Sequence, residues 1–309
     1  MIYKHEFRAM GCQMLAVLDN PSPRSQSRLA QVPEWFEAWE QCLSRFRSDS
    51  ELSLLNQSAG IPVPVSQTLW DVLQVALEAE ERSGGLVTPT VLHALVQAGY
   101  DRSFETLAQA QMGLADYETA PLASMALIKL DPSSHSIRLP LDVGLDFGGV
   151  AKGWAAQRAM HRLRAYGPAL VDAGGDIAIS GLQADGQPWP VSIANPFDPD
   201  ADLGLLMLGK CGVATSGRDY RRWHRNGAWQ HHIIDPRSGK PAQTDVVSAT
   251  VIAPTVMEAE VAAKVSLILG SQAGLSWLSD DLSLAAMLLL ENGEQLCTPA
   301  FERYLWSQA

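Results

Sequence analysis

Asp146-Phe147-Gly148-Gly149-Val150-Ala151-Lys152-Gly153 is the stretch from which the chain's organisation is read. A short β-like run over 142–146 leads into a glycine turn, and helix-forming residues follow from about 151 to 164. Glycines let a phosphate come close to the backbone, and the first N–H groups of a helix favour an anion. Lys152 adds a full positive charge. A turn that only packs a helix tightly accounts for the same glycines. The stretch is neither a Walker loop, since no Gly-Lys-Ser/Thr is present, nor a G-x-G-x-x-G dinucleotide turn.

Outward from this stretch the two halves differ in texture. Downstream, strands are expected at 169–172 and 177–180, separated by Gly174-Gly175. More follow at 190–194, 204–208, 229–234 and 246–253, then a helix over 256–269 and a hairpin-like stretch over 283–297. Upstream, 4–18 reads as one or two strands broken at Met10-Gly11-Cys12, and 32–46 as a helix. Ser50 and Ser66 stand where they would cap a short helix ending near Asn56 and a longer one running to about Ser83. Residues 91–98 look helical, while 104–120 carry no clear period. Helices and strands segregate rather than alternate, which favours α+β over a doubly wound parallel sheet. No heptad, fixed-period repeat or low-complexity tract occurs.

The chain has 309 residues, 47% of them hydrophobic and 18% charged, which are the proportions of a packed globule. Its 23 Lys and Arg against 34 Asp and Glu give a net charge of −11. That argues against bulk nucleic-acid binding or adhesion to anionic lipid. Cys12, Cys42, Cys211 and Cys297 lie far apart, without C-x-x-C or nearby histidine, and read as free, buried thiols of a reducing compartment. No apolar run is long enough to span a bilayer, and Met1–Phe7 has no apolar leader. The expectation is a cytoplasmic protein without a transmembrane segment.

Three further motifs carry chemistry weakly, each alone. Asp172-Ala173-Gly174-Gly175-Asp176 is a second glycine turn, which an ordinary hairpin also explains. Thr215-Ser216-Gly217-Arg218-Asp219-Tyr220 reads as a small-residue turn whose hydroxyls suit a phosphate or sugar, and an ordinary hydroxyl-capped turn explains it too. His231-His232 precedes Ile233-Ile234-Asp235-Pro236. In a strand only one of two neighbouring histidines can face a site.

Together and in this order, the segments resemble the FAD:protein FMN transferases, the ApbE-like flavin transferases. The resemblance begins at Met10-Gly11-Cys12, continues through the segment from Phe46 to Asn56 and through Gly85-Leu86-Val87-Thr88-Pro89-Thr90, and includes all four motifs above. It ends in the helix after residue 258 and covers nearly the whole chain, 1–309, with a subdivision near 120–125. It implies a single interwoven α+β unit with a T-fold-like core, mixed antiparallel sheets and flanking helices. It also implies an enzyme that splits FAD at its pyrophosphate, transfers FMN to a threonine hydroxyl of a target protein and releases AMP, with Mg²⁺. Such phosphoryl transfer needs charge neutralised on nonbridging oxygens and a base for the nucleophile's proton. The resemblance assigns catalysis to His232 and Lys152. It assigns flavin-nucleotide binding to Met10, Asn56, Gly148, Gly149, Asp176, Thr215 and Ser216.

For the metal the resemblance implies the carbonyl of Ala151 and a carboxylate and hydroxyl on the last long helix. The chain departs there. Its segment is Ala259-Glu260-Val261-Ala262-Ala263-Lys264: the carboxylate is one methylene longer, and an ammonium stands in place of the hydroxyl. Lysine has donors only and cannot ligate Mg²⁺ while charged. Glu260 and Lys264 are also an ordinary (i, i+4) helical pair. Thr88 replaces an aspartate usual in the family, and so does Gln157. Two other readings therefore stand beside the transferase: an FAD-binding protein with weakened or lost catalysis, and an FAD diphosphatase with water as acceptor.

Overall fold

The structure is a computed structural model and describes residues 2–20, 22–107, 122–225 and 227–307. Most of the 104–120 stretch, and the lower edge of the expected subdivision near 120–125, lie outside the described residues. The chain forms two compact units, and it passes between them four times. The first comprises Met1–Phe36, Lys152–Tyr220 and Gln243–Ala309, the second Glu37–Ala151 and Arg221–Ala242. Helices and almost wholly antiparallel sheets make the fold α+β.

The first unit is built on an eight-stranded sheet. Its strands are Ile2–Ala9, Cys12–Asp19, Ala169–Ala173, Asp176–Ile179, Cys211–Gly217, Val246–Ala253, Ala285–Leu290 and Gln295–Cys297. They lie side by side in their chain order, and every neighbouring pair is antiparallel. Both faces are covered, so the central strand Val-Val-Ser-Ala-Thr-Val-Ile-Ala (246–253) is buried throughout instead of alternating. On one face Val17, Ile177, Ile252 and Met287 pack with Leu206 and Phe301. Each such side chain, fully buried, contributes about 2 kcal/mol.

The helix Val256–Leu269 covers Cys211–Gly217 and Val246–Ala253. It is apolar almost all round, the composition of a helix enclosed by its neighbours. A capping box starts it: Glu258 N–H donates to Thr255 Oγ1 at 3.3 Å, and Thr255 N–H to Glu258 Oε2 at 3.0 Å. The helix Ala151–Leu163 lies against it, because the Gly153 amide donates to Glu260.

In the second unit both expected serine caps are present. Ser50 accepts from Ser53 N–H at the head of Glu51–Gln57, and Ser66 from Leu69 N–H at the head of Gln67–Arg82. The helix Val32–Leu43 ends three residues before the expected 46. Ala94, Leu95, Tyr100 and Trp223 form part of a small core, where Trp223 Nε1 donates to the Ala98 carbonyl at 2.9 Å.

Several expectations fail; of the four cysteines only Cys211 is buried, the other three being half-buried. Residues 142–146 form no strand. Of the expected turn over 215–220, Thr215-Ser216-Gly217 is instead the end of the strand Cys211–Gly217, paired with Ser248 to Thr250, and the chain bends only over 218–220. Small hydroxyl residues read as a turn in sequence, but here the ladder to the neighbouring strand Val246–Ala253 overrides that local preference.

Candidate active site

One end of the first unit's sheet gathers charged and glycine-rich segments from distant parts of the chain. The Ile2–Ala9 and Cys12–Asp19 strands turn there through Met10 (φ 48°) and Gly11 (φ 68°). The next hairpin turns through Gly174 and Gly175, at φ 68° and 94°. These turns touch: a Cβ on Gly174 would lie 2.7 Å from the Cys12 Cβ, so no larger residue fits. The Gly175 N–H donates to Asp172 Oδ1 at 2.7 Å. Burial pushes the Asp172 pKa up, and the turn's amides oppose that.

Asp176 begins the strand after the turn and is 2% exposed. Lys152 Nζ, on the first turn of the Ala151–Leu163 helix, donates to its carboxylate. Burial alone would push the Lys152 pKa down. The carboxylates of Asp176 and then Glu260, with Cys12, outweigh it and hold the ammonium above the ordinary lysine range.

Glu260 lies next in this chain of contacts. Its side chain is 1% exposed, and both oxygens have partners. Lys264 Nζ donates to Oε1 at 3.0 Å, and Gly153 N–H donates to Oε2 at 3.2 Å. A Cβ at position 153 would sit 2.6 Å from Oε2, so the glycine is what lets the carboxylate reach the helix backbone. Burial, reinforced by Asp176, pushes the Glu260 pKa up, while Lys264 and Lys152 oppose the shift.

Thr215 and Ser216 lie near the same end. Thr215 N–H donates to the Gly175 carbonyl at 3.2 Å. Its hydroxyl pairs with that of Thr250 at 2.9 Å across the strands. Thr215 is exposed and Ser216 buried, since successive strand residues face opposite sides.

The remaining expected residues belong to the second unit. Asn56 holds the backbone of Leu145 at both ends of its amide: Nδ2 donates to the carbonyl at 2.9 Å, and Oδ1 accepts the N–H at 2.8 Å. It thereby fixes the approach to the glycine turn. Asp146 Oδ1 then accepts from Gly148 N–H at 2.7 Å, and Ala151 N–H closes the turn on the Phe147 carbonyl at 2.8 Å. Gly149 lies within this turn. Thr88 donates to Glu80 Oε2 at 2.6 Å.

The two histidines are in different situations. His231 ends the strand Ala228–His231 and is buried; its Nδ1 accepts from Ile233 N–H at 3.3 Å. That places the proton on Nε2, which donates to the Ala242 carbonyl at 3.0 Å. His232 is half-buried in a bend outside any strand, so the expected 229–234 strand stops short of it. His231 is thus committed to the backbone, leaving His232 as the candidate for chemistry.

Sequence reading missed Arg45. Its Nε lies 2.5 Å from Asp146 Oδ2, with side-chain exposures of 5% and 12%. Its guanidinium carbon lies 4.1 Å from the Phe46 ring centre and 4.6 Å from that of Tyr100, and Nη2 donates to the Tyr100 carbonyl at 2.7 Å. A lone arginine beside an aromatic gives no local sign of a partner a hundred residues away.

The model of the ApbE family matches residues 10–288. This chain belongs to the ApbE family. Among its relatives, the FAD:protein FMN transferase of Treponema pallidum is 31% identical over 298 residues, 90% of this chain and 81% of that one. The FAD:protein FMN transferase of Salmonella typhimurium is 29% identical over 304 residues, 95% and 86% of the two chains. In fold, this ApbE-family chain is similar to the crystal structure of the ApbE protein of Thermotoga maritima. The TM-score there is 0.88 at 21% identity, over 99% of this chain and 100% of that one. The flavin transferase ApbE of Vibrio cholerae gives 0.81 at 22% identity, over 99% of both.

The donor set at Glu260 does not fit the Mg²⁺ site that the family resemblance implies. Magnesium takes oxygen ligands and demands near-octahedral geometry. Here an ammonium stands at the hydroxyl position, and both oxygens of Glu260 already accept hydrogen bonds. Asp176 is likewise bound to Lys152.

Proposed function

We propose that this protein is an FAD:protein FMN transferase. The single observation that carries this reading is the 31% identity, over 90% of this chain, to the FAD:protein FMN transferase of Treponema pallidum. A threonine or serine hydroxyl of an acceptor protein attacks the phosphorus of the FMN half of FAD. The bond from that phosphorus to the bridging oxygen breaks, AMP leaves with the bridging oxygen, and a phosphodiester joins FMN to the acceptor. The hydroxyl proton passes to a base and then to solvent.

His232 is assigned as that base, because its neighbour is committed to the backbone. Lys152 is assigned to the nonbridging phosphate oxygens, its charge secured by Asp176. Met10, Gly148, Gly149, Thr215 and Ser216 are assigned to the flavin nucleotide. Asn56 and Asp176 serve as positioning residues, fixing respectively the approach to the glycine turn and the lysine. No step is routed through Mg²⁺. Among the described residues no helix is long and apolar enough to cross a membrane. A reducing compartment such as the cytoplasm fits four cysteines that no disulfide joins.

The test is chromatography of the products after incubation with FAD and a cell extract as the source of acceptor protein. AMP together with acceptor-bound flavin is the transferase outcome. AMP with equimolar free FMN makes the protein a diphosphatase, and FAD binding without AMP makes it a binder.

A further inference from the structure

We propose that Lys264 is the resident cation of this site: its ammonium stands beside Glu260 where the family resemblance places Mg²⁺, and this chain handles a pyrophosphate without a divalent ion. The reference to pyrophosphate rests on the transferase reading above; the claim about the cation does not.

Three observations carry it. Lys264 does not extend into solvent: its side chain is 16% exposed and its Nζ lies 3.0 Å from Glu260 Oε1. It sits on an enclosed helix whose other charges are Glu258, in the capping box, and the buried Glu260 one turn earlier, so its ammonium is held inside by that carboxylate. A lysine there carries a desolvation cost that an alanine or leucine would not. Finally, both ammoniums are already paired, with Asp172 as a further carboxylate beside Asp176 and Lys152. Lys152 and Lys264 face Asp176 and Glu260, and each carboxylate holds one ammonium. A divalent ion would add two positive charges beside two ammoniums and would have to displace a hydrogen-bond donor from Glu260. Like charges about 4 Å apart repel strongly even at an effective dielectric near 20.

The same arrangement gives the ammonium its function. With Gly153 N–H and Lys264 both on Glu260, the carboxylate is held still. When an anionic phosphate arrives, Lys264 is a donor it can share with Glu260, and no metal need be recruited first. The (i, i+4) pair and the site role are then one feature.

The experiment titrates the purified chain with Mn²⁺ alone, followed by electron paramagnetic resonance, for the wild type, Lys264→Thr and Lys264→Met. Thermal unfolding of each variant checks the fold. In parallel, FAD affinity is measured by calorimetry in EDTA and in Mg²⁺. Lys264→Thr, which restores a hydroxyl, should bind Mn²⁺ about 100-fold more tightly than the wild type. Lys264→Met, which removes the charge without adding a ligand, should fall between them. Wild-type FAD affinity should change by less than about twofold between EDTA and Mg²⁺, a difference below about 0.4 kcal/mol. Wild-type Mn²⁺ binding as tight as that of Lys264→Thr, or tenfold tighter FAD binding with Mg²⁺, would overturn the proposal. Should Lys264→Thr fail to fold, the wild-type arm decides: micromolar Mn²⁺ binding overturns the proposal, and none at millimolar metal supports it. If no FAD binds in either buffer, the transferase reading fails while the Mn²⁺ arm still decides the role of Lys264.

Discussion

Gly153 N–H donates to Glu260 Oε2 across 3.2 Å, and a methyl group on residue 153 would stand 2.6 Å from that oxygen. A residue without a side chain thus brings a buried carboxylate onto the first turn of another helix, 107 positions away in sequence. Gly153→Ala should displace Glu260 and cost about 2 kcal/mol, within the range for a forced insertion into packed surroundings. Urea unfolding measures it. A loss under about 0.5 kcal/mol would mean that the carboxylate moves aside freely.

The two histidines should separate by phenotype. His232→Ala should lower AMP release by about 10²–10⁴-fold, the usual contribution of a general base, with little change in FAD affinity. His231→Ala should instead cost about 1–3 kcal/mol of stability, because Ile233 N–H and the Ala242 carbonyl lose their partner. Equal loss of binding and turnover in His232→Ala would make that residue structural.

Arg45→Ala should cost about 1.5–3 kcal/mol, the usual loss for a charge-assisted contact to a half-buried carboxylate. The double variant Arg45→Met, Asp146→Asn should recover much of this, since it leaves no unpaired charge. Chemical unfolding of the set as a double-mutant cycle gives the coupling. Additive effects would show the pair to be incidental.

Much of this was readable locally. Ser50 and Ser66 cap their helices because a serine accepts from the N–H three residues on, a relation within one turn. The apolar helix Val256–Leu269 and the Gly174-Gly175 hairpin likewise carry their signals in their own residues. What escaped is non-local. Thr215-Ser216-Gly217 is a strand only because the neighbouring strand pairs with it. Arg45 has its meaning only through Asp146, and whether Lys264 turns inward depends on a helix packed against its own.

Alkaline pH should destabilise the protein through Cys211. Burial pushes its thiol up to about 12 from 9.0. The folded-state value exceeds the unfolded one, so its contribution is full below pH 9 and is lost as pH rises toward 12. Over that window stability should fall by about 1.4 kcal/mol per pH unit from this group. Cys211→Ala should flatten that part of the profile, as measured by urea midpoints between pH 9 and 11. An unchanged slope would mean that other groups set it.

The measurement that bears most directly on the transferase assignment is incubation with FAD and a cell extract as the source of acceptor. AMP is followed by chromatography, and flavin fluorescence is followed in protein bands on a denaturing gel. The account predicts AMP release matched by flavin that stays with a protein band through denaturation, both abolished in His232→Ala. FAD that binds but yields no AMP, or AMP accompanied only by free FMN, would contradict it.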